Sequence, residues 1–189
     1  ATPFTVTVTI NPTAVITAMT TVSCSGVAFN VTPTNGTNGI VPAGTLYTWS
    51  VPIVTGGLTG GASATNSATI GGNLTNPLNT AQTATYTITP LTGSCTGASF
   101  QLTVTINPTA VITAMTTVSC SGVAFNVTPT NVTNGIVPAG TLYTWSVPIV
   151  TGGLTVGASA TNSATIGGNL TNPLNTAQTA TYTITPLTG

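Results

Sequence analysis

The side chains of this chain that could carry out chemistry are few, and none of them is charged. The 189 residues include no Lys, Arg, Asp, Glu or His. General acid–base catalysis needs a group that titrates near working pH, usually His or a carboxylate. A cysteine nucleophile needs a neighbouring base, and the sequence provides no His beside Cys24, Cys95 or Cys120. The composition therefore predicts that the protein is not an enzyme.

The composition also argues against several classes of ligand. Zinc sites use clusters of Cys and His, and calcium and magnesium sites use carboxylates. Binding of nucleic acid depends on Lys and Arg that neutralise phosphates. No apolar run of the sequence approaches the roughly 20 residues of a membrane-spanning helix. We therefore expect no metal, no cofactor, no nucleic-acid partner and no membrane insertion.

Glycosylation is a modification for which the chain offers many candidate sites. Asn-x-Ser/Thr acceptor sequences for N-glycosylation occur at Asn30, Asn35, Asn73, Asn126, Asn131 and Asn169. Chance matches are expected because Asn and Thr are so frequent, and outward Thr residues are either an O-linked alternative or an unmodified polar surface. A surface without net charge gives copies no electrostatic repulsion. We therefore expect that covalent glycans hydrate this surface or that association is its function.

Short β-strands are the elements that would position these residues. Val or Ile alternates with Thr in residues 4–10, which is the pattern of a half-buried strand. Turn signals rich in Gly, Pro and Asn separate further candidates, and no segment has a helical period. The sequence predicts about seven strands in each repeat, at residues 14–18, 27–31, 45–51, within 53–64, 68–74, 83–89 and 100–106.

Strand parity predicts which side chains face the core. In the second predicted strand Val27, Phe29 and Val31 point inward and Asn30 outward. In the third, Tyr47, Trp49 and Val51 share one face. We interpret Trp49, and Trp145 in the repeat, as the core anchor of a sandwich. The alternative is that Trp49 and Trp145, with Tyr47 and Tyr143, form a platform on which sugars stack.

The chain is a tandem repeat with a period of one domain. Residues 9–93 match residues 105–189 except at two positions, Gly36 against Val132 and Gly60 against Val156. A repeat of this length suits a small β-sandwich rather than a solenoid unit. In this phase residues 1–11 are the last strand of a preceding domain and residues 12–107 form the first domain. Residues 108–189 form a second domain that lacks its own last strand.

The order of the motifs resembles a known family. The sequence contains, in turn, Cys24-Ser-Gly, Phe29-Asn-Val-Thr-Pro33, Tyr47-Thr-Trp49, Gly71-Gly-Asn-Leu-Thr75, Ala84-Thr-Tyr-Thr-Ile-Thr-Pro90, Ser94-Cys-Thr-Gly97 and Val104-Thr-Ile-Asn-Pro108. This order resembles the PKD-like, immunoglobulin-like repeats of large secreted surface proteins of Bacteroidota. The resemblance implies an extracellular or cell-surface array with an adhesive or scaffolding role and no catalysis. The near-identical, uncharged copies are also similar to glycan-coated fibrils from environmental water.

An extracellular location bears on the cysteines, because disulfides persist in oxidising compartments. Each full period carries two cysteines, one before the second predicted strand and one before the last. We therefore expect a disulfide between Cys24 and Cys95, closing a loop of roughly 70 residues and contributing about 4 kcal/mol. Reduced, buried thiols are the alternative, and Cys120 has no partner in this chain.

Together these observations predict an all-β chain of two tandem immunoglobulin-like (PKD-like) β-sandwich domains. The inward face of residues 4–10, formed by Phe4, Val6, Val8 and Ile10, is expected to complete the open domain of a neighbour by β-strand addition. Copies of the chain that bind one another head to tail in this way would form a fibril. One continuous polypeptide of many repeats would give the same fibre. The alternative function is an adhesin stalk or a module that binds carbohydrates or cells.

Overall fold

Strands and turns account for the described structure. A computed structural model describes residues 2–155 and 157–188, and none of these residues is helical. The chain divides into a first unit (residues 1–76 and 81–107) and a second unit (residues 77–80 and 108–189). The all-β prediction is confirmed.

The first unit contains thirteen described strands, most of them short. They are β1 (Val15–Ile16), β2 (Met19–Cys24), β3 (Phe29–Val31), β4 (Gly39–Ile40), β5 (Leu46–Trp49), β6 (Ile53–Val54), β7 (Thr59–Gly60), β8 (Ala64–Ser67), β9 (Ile70–Gly72), β10 (Leu74–Thr75), β11 (Gln82–Thr92), β12 (Cys95–Thr96) and β13 (Phe100–Asn107).

One large sheet organises the first unit. Its strand order is β2-β13-β11-β5-β8, and β6 and β12 also pair with β11. Smaller two-stranded ribbons, β1-β4, β3-β9 and β10-β7, complete the unit. Side chains from the sheet and the ribbons share one buried cluster, which includes Phe29, Trp49, Ile70 and Tyr86. This arrangement is an immunoglobulin-like β-sandwich.

Strand β13 closes the core of the first unit. It pairs antiparallel with β11 along seven residues and parallel with β2 along six. The side chains of Phe100, Leu102, Val104 and Ile106 are at most 5% exposed, while Gln101 between them is exposed. The period-2 alternation of the sequence therefore places one complete apolar face against the core.

The second unit has nine described strands and a smaller set of pairings. The strands are β14 (Val111–Ile112), β15 (Phe125–Val127), β16 (Gly135–Ile136), β17 (Leu142–Trp145), β18 (Ile149–Val150), β19 (Ala160–Ser163), β20 (Ile166–Gly168), β21 (Ala180–Thr181) and β22 (Ile184–Leu187). The largest sheet among them is β19-β17-β22. Residues 115–120, the repeat of β2, are exposed and are not a strand.

Two details of the predicted strands are wrong, and strands β2, β4 and β12 were not predicted. Val27 is 55% exposed because it closes a turn, with its N–H donating to the carbonyl of Cys24. Val51 is 66% exposed because β5 ends at Trp49. Strand β2 was not predicted, since its inward positions include Thr21 and Ser23 and so carry little apolar periodicity.

Candidate assembly groove

The same sequence has different surroundings in the two units. Ala84, Tyr86 and Ile88 of β11 are completely buried in the first unit. Their repeats Ala180, Tyr182 and Ile184 are partly exposed in the second. Burial is also lower in the second unit at four further core positions. Buried in the first unit are Phe29, Leu58, Ile70 and Leu74, and partly exposed in the second are their repeats Phe125, Leu154, Ile166 and Leu170. The difference follows from β13, which packs on these side chains in the first unit only.

A groove of about 900 Å³ lies in the second unit, at the place equivalent to the one that β13 fills in the first unit. Residues 112–121 line it on one side and residues 177–182 on the other, together with the aromatic rings of Phe125 and Tyr143. These two segments are the repeats of the β2 and β11 regions, between which β13 lies in the first unit. The lining is largely apolar and Thr-rich, which suits an extended strand whose side chains alternate between core and solvent.

One wall of the groove is an open sheet edge. In the first unit residues 82–88 pair with β13 in full register, from Gln82 opposite Ile106 to Ile88 opposite Phe100. In the second unit the described pairings of β21 and β22 are with β18 and β17. Unpaired N–H and C=O groups along such an edge are a template for another strand.

The apolar side chains of the predicted donor segment are exposed, and the segment belongs to no described strand of its own domain. Phe4, Val6, Val8 and Ile10 are 72–87% exposed, and residues 2–12 form no described strand. Residues 4–10 have the same alternation as residues 100–106, with Phe4 and Ile10 equivalent to Phe100 and Ile106. The structure therefore contains both an apolar strand face without a partner and a groove of matching pattern.

An anchoring side chain near this site was missed by the sequence analysis. The Asn76 Nδ2 group, on a residue that is only 3% exposed, donates to the carbonyl of Ile106 at 3.0 Å. The N–H of Ser25 donates to the carbonyl of Asn107 at 2.8 Å. In the second unit Asn172 Nδ2 donates to the carbonyl of Thr176 at 2.9 Å. Asn76 precedes a Pro and therefore lies in no N-glycosylation acceptor sequence. No motif in the sequence indicated that its side chain binds β13.

The expected Cys24–Cys95 disulfide is wrong for this fold. All three cysteines are free, with Cys24 and Cys120 exposed and Cys95 partly buried. Cys24 lies beside Asn107, at one end of β13. Cys95 pairs with Thr92, in the turn beyond the other end of β13. The length of β13 separates them by at least about 20 Å, whereas a disulfide needs Cα atoms within about 7 Å.

All six candidate glycosylation sites are exposed, but their side-chain amides differ in the hydrogen bonds that they form. Asn73 Nδ2 donates to the carbonyl of Gly26, and Asn169 Nδ2 to that of Gly122, each at 3.1 Å. Asn35 and Asn131 use only Oδ1, which accepts from the N–H of Val41 and of Val137. Asn30 and Asn126 lie on β3 and β15 with outward side chains. The nitrogen that a glycan would modify is therefore already engaged at Asn73 and Asn169.

The aromatic side chains belong to the core, and the sugar-platform interpretation of Trp49 and Tyr47 is wrong. Trp49 and Trp145 are each 5% exposed and Tyr47 and Tyr143 each 2%. The indole N–H of Trp49 donates to the carbonyl of Ala62 at 3.0 Å. Burial raises the pKa of all four tyrosines above the ordinary value. They are therefore neutral at physiological pH.

No helix in the described part of the chain is long and apolar enough to cross a membrane. No group of three or more metal-ligating side chains occurs in residues 2–155 and 157–188.

The fold and core define an immunoglobulin-like β-sandwich, and comparison with known families is more specific. Residues 20–110, slightly less than half of the chain, match the family model of the PKD-like domain. The matched segment runs from β2 to just beyond β13, and residues 116–189 repeat its sequence through residue 93. PKD-like domains are typical of extracellular proteins, are typically non-enzymatic, and fit an adhesin stalk or binding module in general. No curated protein matches the chain.

Proposed function

We propose that this protein is a non-enzymatic structural subunit of an extracellular fibril or surface array. Its units are linked head to tail by strand complementation, in which residues 4–10 of one copy fill the groove of the second unit of the next. The observation that carries this proposal is the contrast between two nearly identical sequences. The unit that contains β13 has a closed core, and the other has a groove of about 900 Å³.

The chemistry of the donor segment supports the proposal. At the four inward positions of β13 the chain has Phe100, Leu102, Val104 and Ile106, and residues 4–10 place Phe, Val, Val and Ile there. Burial of each such side chain contributes about 1.5–3 kcal/mol relative to exposure. Main-chain hydrogen bonds to the open edge would add affinity, as in other cases of β-strand addition. Because donor and acceptor are different surfaces, the contact repeats without closing and gives a filament.

The strand can reach the groove by two routes. In one, separate chains exchange strands; in the other, one continuous polypeptide of many repeats supplies each closing strand covalently. Mass under denaturing conditions distinguishes them in the native material. Strand exchange predicts a single mass for one subunit, whereas a ladder of whole multiples or a very high mass would contradict exchange between separate chains.

Two substitutions that introduce the same charge test the proposal in the 189-residue chain. Val6→Asp places a carboxylate at an inward position, and Thr5→Asp places it at the position equivalent to the exposed Gln101. An unpaired buried charge costs about 3–5 kcal/mol, so Val6→Asp should weaken assembly at least about 100-fold. Thr5→Asp should assemble like the unmodified chain. The measurement is sedimentation combined with electron microscopy of filaments, and equal assembly by both variants would contradict the proposal.

Glycans on the outward strand faces are part of the proposed fibril, because its surface has no charge to hydrate it. The Nδ2 groups of Asn73 and Asn169 donate to main-chain carbonyls, and we therefore expect Asn30 and Asn126 to be the preferred attachment points. Glycopeptide mass spectrometry of the native protein should find sugars at the first pair before the second. Sugars at Asn73 and Asn169 alone would contradict this order, and sugars on Thr alone would indicate the O-linked alternative.

An adhesin stalk or a carbohydrate-binding or cell-binding module is the second candidate, supported by the PKD-like match at residues 20–110. The buried positions of Trp49 and Trp145 are unfavourable for sugar stacking. Specific binding of the 189-residue chain on a glycan array, with no dependence on Val6, would favour this candidate over the fibril.

A further inference from the structure

One six-residue sequence adopts two conformations in this chain. Residues 19–24 and 115–120 are both Met-Thr-Thr-Val-Ser-Cys. The first copy is strand β2, parallel to β13. The second copy is exposed and not a strand, with Val118 97% exposed against 64% for Val22. Since the sequence is identical, the strand conformation of β2 depends on pairing with β13.

One side-chain amide of the first unit binds the strand that pairs with this segment. Asn76 Nδ2 donates to the main-chain carbonyl of Ile106 when β13 is present. Asn172, its repeat, donates locally to Thr176. A side-chain amide that binds a main-chain carbonyl at one position of an incoming strand fixes the register of that strand, because a slip by one residue moves every side chain to the other face.

We infer that the groove of the second unit binds the incoming strand between two partners and in one register. This inference rests on the proposed function. The strand lies antiparallel to residues 178–184, as β13 does to β11, and parallel to residues 115–120, which become a strand only on binding. Applying the register of the first unit pairs Val6 with Met115, Val8 with Thr117 and Asn11 with Cys120. Asn172 then donates to the carbonyl of Ile10, as Asn76 does to Ile106, and acts as the residue that determines the register.

A disulfide cross-link tests this register directly. In a chain that carries Cys24→Ser and Cys95→Ser, Asn11→Cys places a thiol opposite the native Cys120 of the next copy. Oxidation by diamide removes two electrons and two protons from the two thiols and forms one S–S bond. Denaturing, non-reducing electrophoresis should then show a ladder of covalent dimers, trimers and longer species that collapses on reduction.

The chain provides matched controls. Thr9→Cys in the same background lies two residues out of register, about 8 Å from Cys120 between Cα atoms, and should cross-link at least about 10-fold more slowly. Asn107→Cys, with Cys24 retained and Cys95 and Cys120 replaced by Ser, should form an intramolecular bond, since Asn107 and Cys24 are paired.

The outcomes separate this inference from the proposed function. If unmodified chains form no filaments, the proposed function fails. If filaments form but Thr9→Cys cross-links as fast as Asn11→Cys, or neither variant cross-links, the inferred register is wrong. A cross-linked monomer would show that residues 4–10 occupy the groove of their own chain, which would overturn the contact between copies.

Hydrogen exchange provides a second test that needs no added cysteine. Amides of residues 116–120 should exchange at least about 10-fold more slowly in filaments than in the unassembled chain, because ladder bonds protect them. The amides of β2 should be protected in both states. Filaments in which residues 116–120 stay unprotected would overturn the parallel pairing, even if residues 178–184 became protected.

Discussion

At the residue scale, the two repeats differ at two positions, and the structure describes both residues of the pair at only one of them. Gly36 has φ +85° and Val132 has φ +73°. Each donates its N–H at 2.9 Å to the carbonyl of the residue three positions further on, Gly39 and Gly135 respectively. A β-branched residue in this left-handed region is strained. The other substituted position, Val156, lies outside the described residues. The second unit therefore carries a backbone cost that the first does not.

Val132→Gly should raise the free energy of unfolding of the second unit by about 1 kcal/mol, because it removes the left-handed penalty of an L-residue. Gly36→Val should lower that of the first unit by about the same amount. Urea unfolding followed by Trp fluorescence measures both. Val132→Ala is the control: a gain as large as that of Val132→Gly would show that the side chain, and not the backbone, is responsible.

At the element scale, β13 is the strand on which the closed core depends. It contributes four buried side chains, forms the ladder on β11 and holds β2 in a strand conformation. A domain of this size has a small excess of stabilising free energy, so an open groove and an unpaired edge leave the second unit prone to pairing with another strand.

A peptide with the sequence of β13, residues 100–107, should inhibit assembly of the 189-residue chain. It presents the apolar face that the groove accepts, and it carries no second unit to extend the filament. Light scattering during assembly, at increasing peptide concentration, measures the effect. The same peptide with Asp in place of Leu102 should inhibit at least about 10-fold less well, and equal inhibition by both peptides would contradict a groove that selects the apolar face.

At the scale of the whole molecule, the absence of charge removes the usual dependence on solution conditions. Salt acts on proteins largely by screening charges, and this chain has no Lys, Arg, Asp, Glu or His to be screened. Titration of the tyrosines at high pH is the exception for which the structure gives a direction. Their pKa values are raised by burial, so the folded state favours the neutral phenol.

Stability and assembly should therefore be constant between about pH 5 and 8 and between 50 mM and 1 M NaCl (roughly a 4.5-fold change in Debye length). The stability that comes from neutral, buried phenols is fully present below the unfolded pKa of about 10. It is lost as pH rises through the higher folded values, because the unfolded chain ionises first. Thermal unfolding across pH and salt measures this. A maximum of stability near neutral pH would contradict it.

The sequence by itself determined the all-β class, the near-identity of the two repeats and the apolar faces of β11 and β13. These depend on alternation between residues two apart, which is local and visible in one chain. Only the tertiary structure decided which strands are neighbours. The parallel pairing of β2 with β13 involves inward Thr21 and Ser23, which give no apolar signal, and it places Cys24 and Cys95 at opposite ends of a strand.

The strand that fills the candidate groove could not be identified from sequence periodicity either, because periodicity does not show which strands are neighbours. Sequence periodicity predicted that residues 4–10 are a strand with one apolar face, but an apolar face does not specify its partner. In the first unit the partner of β13 is defined by ladders with residues far apart in sequence and by a hydrogen bond from the Asn76 amide to the carbonyl of Ile106. Pairing of this kind is a property of the folded sheet, because its energy comes from contacts that exist only after distant segments have come together.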